Sequence, residues 1–337
     1  PFHYNPITRE LIVYRDLKIE VNFEGGSGHF GEDRLRSRWW DPMLSDMLIN
    51  YESLPKMDYS RSYQNADPTG CEYLIVSPTG AEFQQWADSI REFRTRQGIL
   101  TDVMTVDDLG GNNVNTMESF FNDAFNNWDI PPAAVLLLGD HGSDASKNIL
   151  SPIYNGYCVS DNIYADVTGN HMPDIVFARI TANNASQLEV MITKFLDYER
   201  NPPTNPDFYM YPITALGWQT ERWFQICSET VGGFWKHVQG KDPVRINAIY
   251  SGTPGSVWST NQNTSMVVNY FGPGGQEYIP ATPAELGGWT GGNATQVNNA
   301  INSGAFMLQH RDHGGVNGGG EPAYSSSTIN SLQNSDL

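Results

Sequence analysis

The sequence is poor in basic residues, in cysteine and in long apolar runs. It carries 20 Lys and Arg against 38 Asp and Glu, which gives a net charge of −18. This balance argues against a phosphate-binding face, so neither nucleic acid nor anionic lipid is an expected partner. No run approaches the roughly 18 apolar residues of a membrane span. The first residues also lack the charged-then-apolar pattern of an export signal.

The cysteines are Cys71, Cys158 and Cys227, and none of them forms a CxxC pair. An odd number at these spacings predicts neither a disulfide framework nor a zinc site, and it leaves at least one thiol free. No cofactor is expected to be required. Abundant Asn, Gly, Tyr and Trp with few Lys favour a secreted or cell-surface protein of a bacterium over a cytosolic enzyme.

The 337 residues exceed the usual size of a single core, so at least two parts are expected. Residues 1–55 contain an alternating, strand-like stretch at 11–23 and indicate a β-rich remnant of a preceding region. Residues 56–70 are polar and are interpreted as a linker. From Glu72 onward strands and helices alternate, which predicts an α/β domain with parallel sheets.

Hydrophobic periodicity places the individual elements of this α/β region. The predicted strands cover 73–77, 99–106, 175–180, 212–218, 244–251 and 305–309, and a further strand within 133–142 ends at Gly139-Asp140-His141. The predicted helices cover 81–97, 117–128, 185–200, 221–237 and 294–303. Residues 252–292 are too long for a structureless loop and are expected to be functional or to carry small elements.

Polar clusters follow three of these strands. They are Gly139–Gly142, Trp218–Glu221 and His310–Gly315. In a parallel sheet all three lie on the carboxyl edge, where α/β proteins bind ligands, so a shared cleft is expected.

For acyl transfer, His313 would be the general acid/base, Glu221 would orient its imidazole, and a backbone N–H of Gly314 or Gly315 would help hold an oxyanion. No nucleophile is identified among these residues. Cys227 lies in a predicted helix and is expected to pack there as a small apolar side chain. The plainer alternative is that His313 caps a strand and the glycines only form a turn.

Several segments in a fixed order resemble the gingipain family of cysteine peptidases, over residues 71–337. They are LLLGDHG (136–142), SDNIYADVTGN (160–170), VFARI (176–180), DYERNP (197–202), HGG (313–315) and SLQNSDL (331–337). The resemblance implies a caspase-like, doubly wound α/β fold with mostly parallel sheets in two subdomains, 71–205 and 206–337. It also places the catalytic histidine at His313.

Two departures from the family bear on activity. The family's nucleophilic cysteine closes the strand after the histidine, which implies that the cysteine lies in a continuation of this protein beyond Leu337, with the sequence truncated before it. The segment that holds the pocket acid of Arg-specific members reads ERWFQ (221–225) here. Trp223 stands near the acid's position and Trp218 close by, so both are candidates for the substrate pocket, and a strict Arg or Lys preference is in doubt. Glu221 is the alternative pocket acid.

The family's calcium sites make Asp140 and Asp161 candidate metal ligands, although Asp in loops is more often a turn former. Residues 11–55 resemble the end of the β-sandwich that precedes the peptidase domain in relatives tied to secretion and surface anchoring in the Bacteroidetes. The sequence thus predicts a secreted or surface cysteine endopeptidase acting on polypeptides. Two alternatives stay open: a non-catalytic surface or secretion-system scaffold, and a hydrolase that uses a local serine or Cys227.

Overall fold

The computed structural model describes residues 2–16, 18, 33–54, 56–57, 59 and 69–334. The chain divides into two compact units, Pro1–Asp197 and Tyr198–Leu337. Each unit contains a parallel sheet with helices packed against it. No helix among the described residues is both long and apolar enough to cross a membrane.

The strands and helices are numbered in chain order. The strands are β1 (Phe2–Asn5), β2 (Glu10–Val13), β3 (Tyr73–Ser77), β4 (Thr101–Thr105), β5 (Ala134–Leu138), β6 (Ile153–Tyr154), β7 (Cys158–Val159), β8 (Val176–Ile180), β9 (Ile213–Gln219), β10 (Val244–Ser251), β11 (Leu308–Arg311), β12 (Gly314–Gly315), β13 (Gly318–Gly319) and β14 (Tyr324–Ser325). The helices are α1 (Trp40–Met47), α2 (Ala81–Arg96), α3 (Val114–Asn127), α4 (Asn162–Ala165), α5 (Ala185–Arg200), α6 (Pro206–Met210), α7 (Phe224–His237), α8 (Thr264–Phe271), α9 (Pro283–Leu286), α10 (Ala294–Asn302) and α11 (Ser326–Ile329).

The sheet of the first unit has the strand order β4-β3-β5-β8, and every neighbouring pair is parallel. Successive residues of a strand point to opposite faces, so β3 contributes side chains to two cores, one on each face of the sheet. Leu74 and Val76 pack with Met117 and Phe121 of α3. Ile75 packs on the other face with apolar residues of α2 and α5. The sheet is therefore covered by helices on both sides, as the buried, apolar strands predicted.

Helix α3 begins three residues before its predicted start at Met117, and its cap explains the difference. The side chain of Asn113 accepts hydrogen bonds from the backbone N–H groups of Asn115 and Thr116. An Asn in this position satisfies donors that the first helical turn leaves free. The predicted start followed the apolar periodicity and missed this polar first turn.

The sheet of the second unit has the order β10-β9-β11, again with parallel pairs. The central strand β9 is buried along its whole length. Leu216 and Trp218 face a core that includes Ile226 of α7. Ile213 and Ala215 face the other side, against apolar residues of α10. Helix α7 begins at Phe224, later than predicted, because residues 220–223 form a turn.

The strand that leads to His313 differs from its prediction. It was expected to be a buried strand over 305–309, but β11 spans Leu308–Arg311, and Met307 and Leu308 are 46% and 37% exposed. The reason is that β11 lies at the edge of its sheet and, within residues 69–334, pairs with β9 alone. The run is apolar, as read from the sequence, but one flank of β11 is not covered by any strand of the described residues.

At the N-terminus, β1 and β2 form an antiparallel hairpin, so strand structure is present where a β-rich remnant was predicted. Within the predicted strand at 11–23, residue 17 and residues 19–23 lie outside the described residues, and within the linker at 56–70, residue 58 and residues 60–68 do. The segment 252–292 carries α8 and α9, in agreement with the expectation of small elements there.

Candidate functional site

The carboxyl edge of the second sheet brings together residues from three strand ends. The strands β9, β10 and β11 are parallel and end at Gln219, Ser251 and Arg311. His313 follows β11 by two residues. The centre of its imidazole ring lies 5.3 Å from the centre of the Phe224 ring, edge to face, and 6.0 Å from the centre of the Tyr250 ring. His313 itself is exposed, so its ring stands between two aromatic side chains with open access to solvent.

The backbone of His313 is held by hydrogen bonds to Asp312 and Gly320. The N–H of His313 donates to Oδ1 of Asp312, and the N–H of Gly320 donates to the carbonyl oxygen of His313 at 2.6 Å. The carboxylate of Asp312 lies against Gly217 of β9, where a Cβ would overlap it. Its Oδ2 atom is buried and has no hydrogen-bond partner within the described part of the chain.

The two faces of β11 have different environments. Gln309 and Arg311 point toward α7: the hydroxyl of Ser228 donates to Oε1 of Gln309 at 2.7 Å, and the Arg311 guanidinium lies 5.0 Å from the centre of the Phe224 ring. His310 and Asp312 point to the opposite face, as alternation along a strand requires. Nε2 of His310 is buried and unpaired among the described residues. A side chain at Gly319 would come within 2.8 Å of its ring.

The predicted partners of His313 lie on the same sheet edge, and among the described residues neither of them is hydrogen-bonded to its imidazole. Glu221 is exposed in the turn after β9, and within residues 69–334 it makes neither a hydrogen bond nor an ion pair. Gly314 is exposed and belongs to β12, which pairs with β13 in a small glycine-rich sheet. The orienting role of Glu221 and the oxyanion role of Gly314 stay predictions.

The two tryptophans predicted to form the substrate pocket have different surroundings. The Trp218 side chain is fully buried and packs at 4.9 Å on Trp289 inside the core of the unit. A substrate has no access to it in this conformation. Trp223 is half-buried, and its indole N–H donates to the Thr264 hydroxyl at 2.9 Å. Of the two, only Trp223 presents surface at this edge.

The candidate metal ligands belong to the first unit. Both carboxylate oxygens of Asp161 accept hydrogen bonds from Arg179 at 2.8 Å, and Oδ1 also accepts one from the Ser151 hydroxyl. Burial raises the pKa of Asp161, but the hydrogen bonds from Arg179 and Ser151 outweigh it and hold this pKa below its ordinary value. Asp161 therefore does not fit a calcium site, because a cation there would meet the guanidinium.

Asp140 is occupied by neighbouring donors as well. The side-chain amide of Asn183 donates to Oδ2 at 3.0 Å, and the N–H of His141 donates to Oδ1 at 2.8 Å. The imidazole of His141 accepts a hydrogen bond from the N–H of Ser151 through Nδ1. Across the described ranges, no group of three or more His, Cys, Asp or Glu side chains is arranged to hold a metal ion. The metal assignment for Asp140 and Asp161 is thus unsupported by these side chains.

The three cysteines differ in exposure. Cys71 is buried, and this burial raises its pKa to about 12. Cys158 and Cys227 are exposed. The expectation that Cys227 packs as a small apolar side chain is wrong, because α7 turns this position toward solvent while Ile226 and Ser228 are buried.

Three contributors to the site, Phe224, Tyr250 and Gly217, were not predicted from the sequence, and Arg311 was predicted only as a member of the polar cluster His310–Gly315. The rings of Phe224 and Tyr250 lie beside the ring of His313. Arg311 lies over the Phe224 ring, and Gly217 leaves room for Asp312. Only Gly217 left a sequence signal, since a glycine within a buried strand often marks a close approach of another group. The two aromatic residues read as ordinary strand and helix positions.

The model of the family described as "Peptidase family C25" matches residues 66–337. Gingipain R2 of Porphyromonas gingivalis is 21% identical over 209 residues, which are 60% of this chain and 26% of that protein. Lys-gingipain of the same organism is 23% identical over 219 residues, 61% of this chain and 12% of that protein. The chain thus spans about a quarter or less of the length of these curated relatives.

Solved structures agree with these matches at the level of the fold. The complex of the pro- and mature domains of Porphyromonas gingivalis RgpB has a TM-score of 0.56 at 17% identity, over 78% of this chain and 52% of that chain. The crystal structure of the Arg-specific cysteine proteinase gingipain R has a TM-score of 0.55 over 80% and 53% of the two chains, also at 17% identity. The predicted α/β, caspase-like fold class and the resemblance to gingipains are confirmed. The chain belongs to peptidase family C25.

Proposed function

We propose that this chain forms the peptidase region of a cysteine endopeptidase that hydrolyses peptide bonds in polypeptides. A thiolate attacks the peptide carbonyl carbon, and His313 gives a proton to the leaving amine. Water then hydrolyses the thioester, which releases the acid and restores the thiol. The observation that carries the proposal is the exposed ring of His313 at the carboxyl edge of a parallel sheet, with its backbone held by Asp312.

The nucleophile is proposed to lie in a continuation of the protein beyond Leu337. The order of residues in the family supports this, since the cysteine there closes the strand that follows the histidine. The edge position of β11 also supports it, because a further parallel strand beside β11 would end close to His313. Cys71 is a poor candidate, because a buried thiol with a pKa of about 12 is not ionised at neutral pH.

Cys227 is a second candidate for the nucleophile, on one specific observation. It is exposed and lies one helical turn after Phe224, whose ring contacts His313. Residues three apart share one side of a helix, so Cys227 and His313 are on the same side of α7 as Phe224. A substitution of Cys227 separates this mechanism from the first.

The other roles follow from position on the same sheet edge. Glu221 would orient the imidazole after a rearrangement of the exposed turn at 220–223, and the N–H of Gly314 would donate to the oxyanion. A secreted or cell-surface location in a bacterium is part of the proposal, supported by composition and by the Porphyromonas relatives. Neither a nucleic acid nor a required cofactor is part of it.

The test is labelling of the full-length encoded protein with a thiol-reactive peptide probe, followed by identification of the modified residue by mass spectrometry. We expect one thiol beyond Leu337 to react fastest, and His313→Ala to reduce peptide hydrolysis by about 10²- to 10⁴-fold. His141→Ala is the matched control, because it removes another exposed histidine and should retain activity.

Two outcomes would redirect the proposal. Labelling that disappears in Cys227→Ser would assign the nucleophile to α7. If no thiol reacts in a His313-dependent manner and no peptide is cleaved, the protein is a non-catalytic surface or secretion-system scaffold that reuses the peptidase fold.

A further inference from the structure

The ring of His313 has a mainly aromatic surrounding. Phe224 lies 5.3 Å from it and Tyr250 lies 6.0 Å from it, on two different elements, α7 and β10. Tyr250 is 59% exposed, so much of its ring is free to contact another molecule. The space beside the imidazole is therefore bordered by flat apolar surfaces.

The cation two residues before His313, Arg311, has a defined position in this arrangement. The Arg311 guanidinium lies 5.0 Å from the centre of the Phe224 ring, in cation–π geometry. Phe224 thus contacts both Arg311 and His313. A positive side chain that enters beside His313 would approach Arg311 and be repelled by it.

Among the described residues, Arg311 forms no ion pair with Asp312 or Glu221. Asp312 faces Gly217 and Gly320 on the opposite side of β11, with Oδ1 only 2.6 Å from where a Cβ of Gly320 would be. Glu221 is exposed in the turn that precedes α7, and within residues 69–334 it forms neither a hydrogen bond nor an ion pair. It is the one acidic group in the segment 220–225 that could accompany a basic substrate side chain.

These positions restrict what can lie next to the reacting bond. A general acid must come within about 3 Å of the atom to which it gives its proton. A substrate residue beside that bond then lies within a few ångströms of the aromatic rings that touch His313. Aromatic and large apolar side chains gain contact area there. A Lys or Arg side chain would instead lie against the rings of Phe224 and Tyr250, with the positive charge of Arg311 behind Phe224.

We infer that the site prefers polypeptides with an aromatic or large apolar residue beside the cleaved bond and disfavours Lys and Arg. This inference rests on the proposed function, because it describes the substrate of the same histidine. Phe224 and Tyr250 are its specificity-determining residues, and Arg311 excludes basic side chains.

The experiment uses the full-length encoded protein and two acyloxymethyl ketone peptides that differ only in the residue beside the ketone, Phe or Arg. The thiolate displaces the acyloxy group as a carboxylate and forms a thioether, so each labelling event is recorded as a mass increase on one cysteine. We expect the Phe probe to label at least about 10-fold faster than the Arg probe, the scale on which apolar pockets discriminate.

Variants separate the contributions to this ratio. Arg311→Glu should raise labelling by the Arg probe about 10-fold or more relative to the Phe probe, because it replaces the repelling cation with an acid. Tyr250→Ala should lower labelling by the Phe probe more than labelling by the Arg probe. Both positions are exposed, and a thermal unfolding curve checks that each variant is folded. In Glu221→Gln the ratio of the two rates should stay unchanged, whatever the absolute rates.

A faster reaction with the Arg probe than with the Phe probe would overturn the inference. If this faster reaction were lost in Glu221→Gln, Glu221 would be the pocket acid instead. These results leave the proposed function intact, because a thiol still reacts. If neither probe labels a thiol and His313→Ala behaves like the wild type, the proposed function fails and the inference fails with it.

Discussion

Asp312 of the His313 loop lies directly against Gly217 of the neighbouring strand β9, where any side chain larger than hydrogen would overlap its carboxylate. The same carboxylate accepts the N–H of His313. One residue therefore joins the centre of the sheet to the backbone of the candidate catalytic histidine. A glycine has no side chain to pack in a fully buried strand. The close approach of Asp312 explains why a glycine stands at this position.

Gly217→Ala should destabilise the second unit by about 1–3 kcal/mol, the usual cost of forcing an extra group into a packed interior. The added methyl group displaces Asp312, so activity of the full-length protein should fall as well. Thermal or denaturant unfolding measures the stability change. The double variant Gly217→Ala, Asp312→Ala should recover stability relative to the single one, because the overlapping carboxylate is gone.

Gly232→Ala in α7 is the matched control for this substitution. Its new Cβ would have a single neighbour, at an ordinary 3.5 Å. Alanine is also the better helix former, so stability should stay equal or rise by up to about 1 kcal/mol. Equal losses in both variants would mean that Gly217 does not make room for Asp312.

The ion pair of Arg179 and Asp161 predicts how the first unit responds to acid. The side chains are only 9% and 22% exposed, and the pKa of Asp161 is held below its ordinary value. The stabilisation is complete above the unfolded pKa of about 3.9 and is lost as the pH falls through the lower folded pKa. Asp161→Asn should cost about 3 kcal/mol at pH 7, since it leaves a buried guanidinium that keeps its hydrogen bonds to Gly139, Ile149 and Ser151 but loses its carboxylate partner.

Unfolding curves between pH 7 and pH 3 test this relation. The difference in stability between the wild type and Asp161→Asn should shrink as the pH falls below about 4. Asp144→Asn serves as the control, because Asp144 and Lys147 are about half exposed and such surface pairs contribute little. A difference that stays constant down to pH 3 would assign the effect to packing and not to charge.

The cysteines should react with a soluble thiol reagent at distinct rates. Cys158 and Cys227 are exposed, whereas Cys71 is buried with its pKa raised to about 12, so its thiolate is scarce at neutral pH. Peptide mapping by mass spectrometry should find Cys158 and Cys227 modified in the native protein and Cys71 only after denaturation. Rapid native modification of Cys71 would contradict its place in the core of the first unit.

The sequence predicted the buried, repetitive parts of the fold well. The strands β3, β5, β8, β9 and β10 and the helices α2 and α5 lie close to where apolar periodicity put them, because burial on a sheet or helix face leaves a regular pattern. The errors occur where local chemistry replaces that pattern. Asn113 starts α3 early, and the edge position of β11 in the described sheet exposes an apolar segment.

The site was less predictable than the fold, for a physical reason. The position of His313 at the end of a strand can be read from one stretch of sequence. Phe224, Tyr250 and Gly217 come from three other elements, and their approach to the His313 loop depends on sheet order and register. A single sequence carries no direct record of either. Trp218, an attractive pocket residue by position, turns inward because alternation in β9 points it to the core.

The open flank of β11 links assembly of the sheet to the position of the histidine. Met307 and Leu308 remain exposed there, and within the described part of the chain only β9 fixes the register of this strand. A slip by one residue would exchange the two faces of β11 and move Asp312 away from Gly217. A strand bound at this flank would be a second constraint on the register, so that strand pairing at the edge and the position of the histidine would be fixed together.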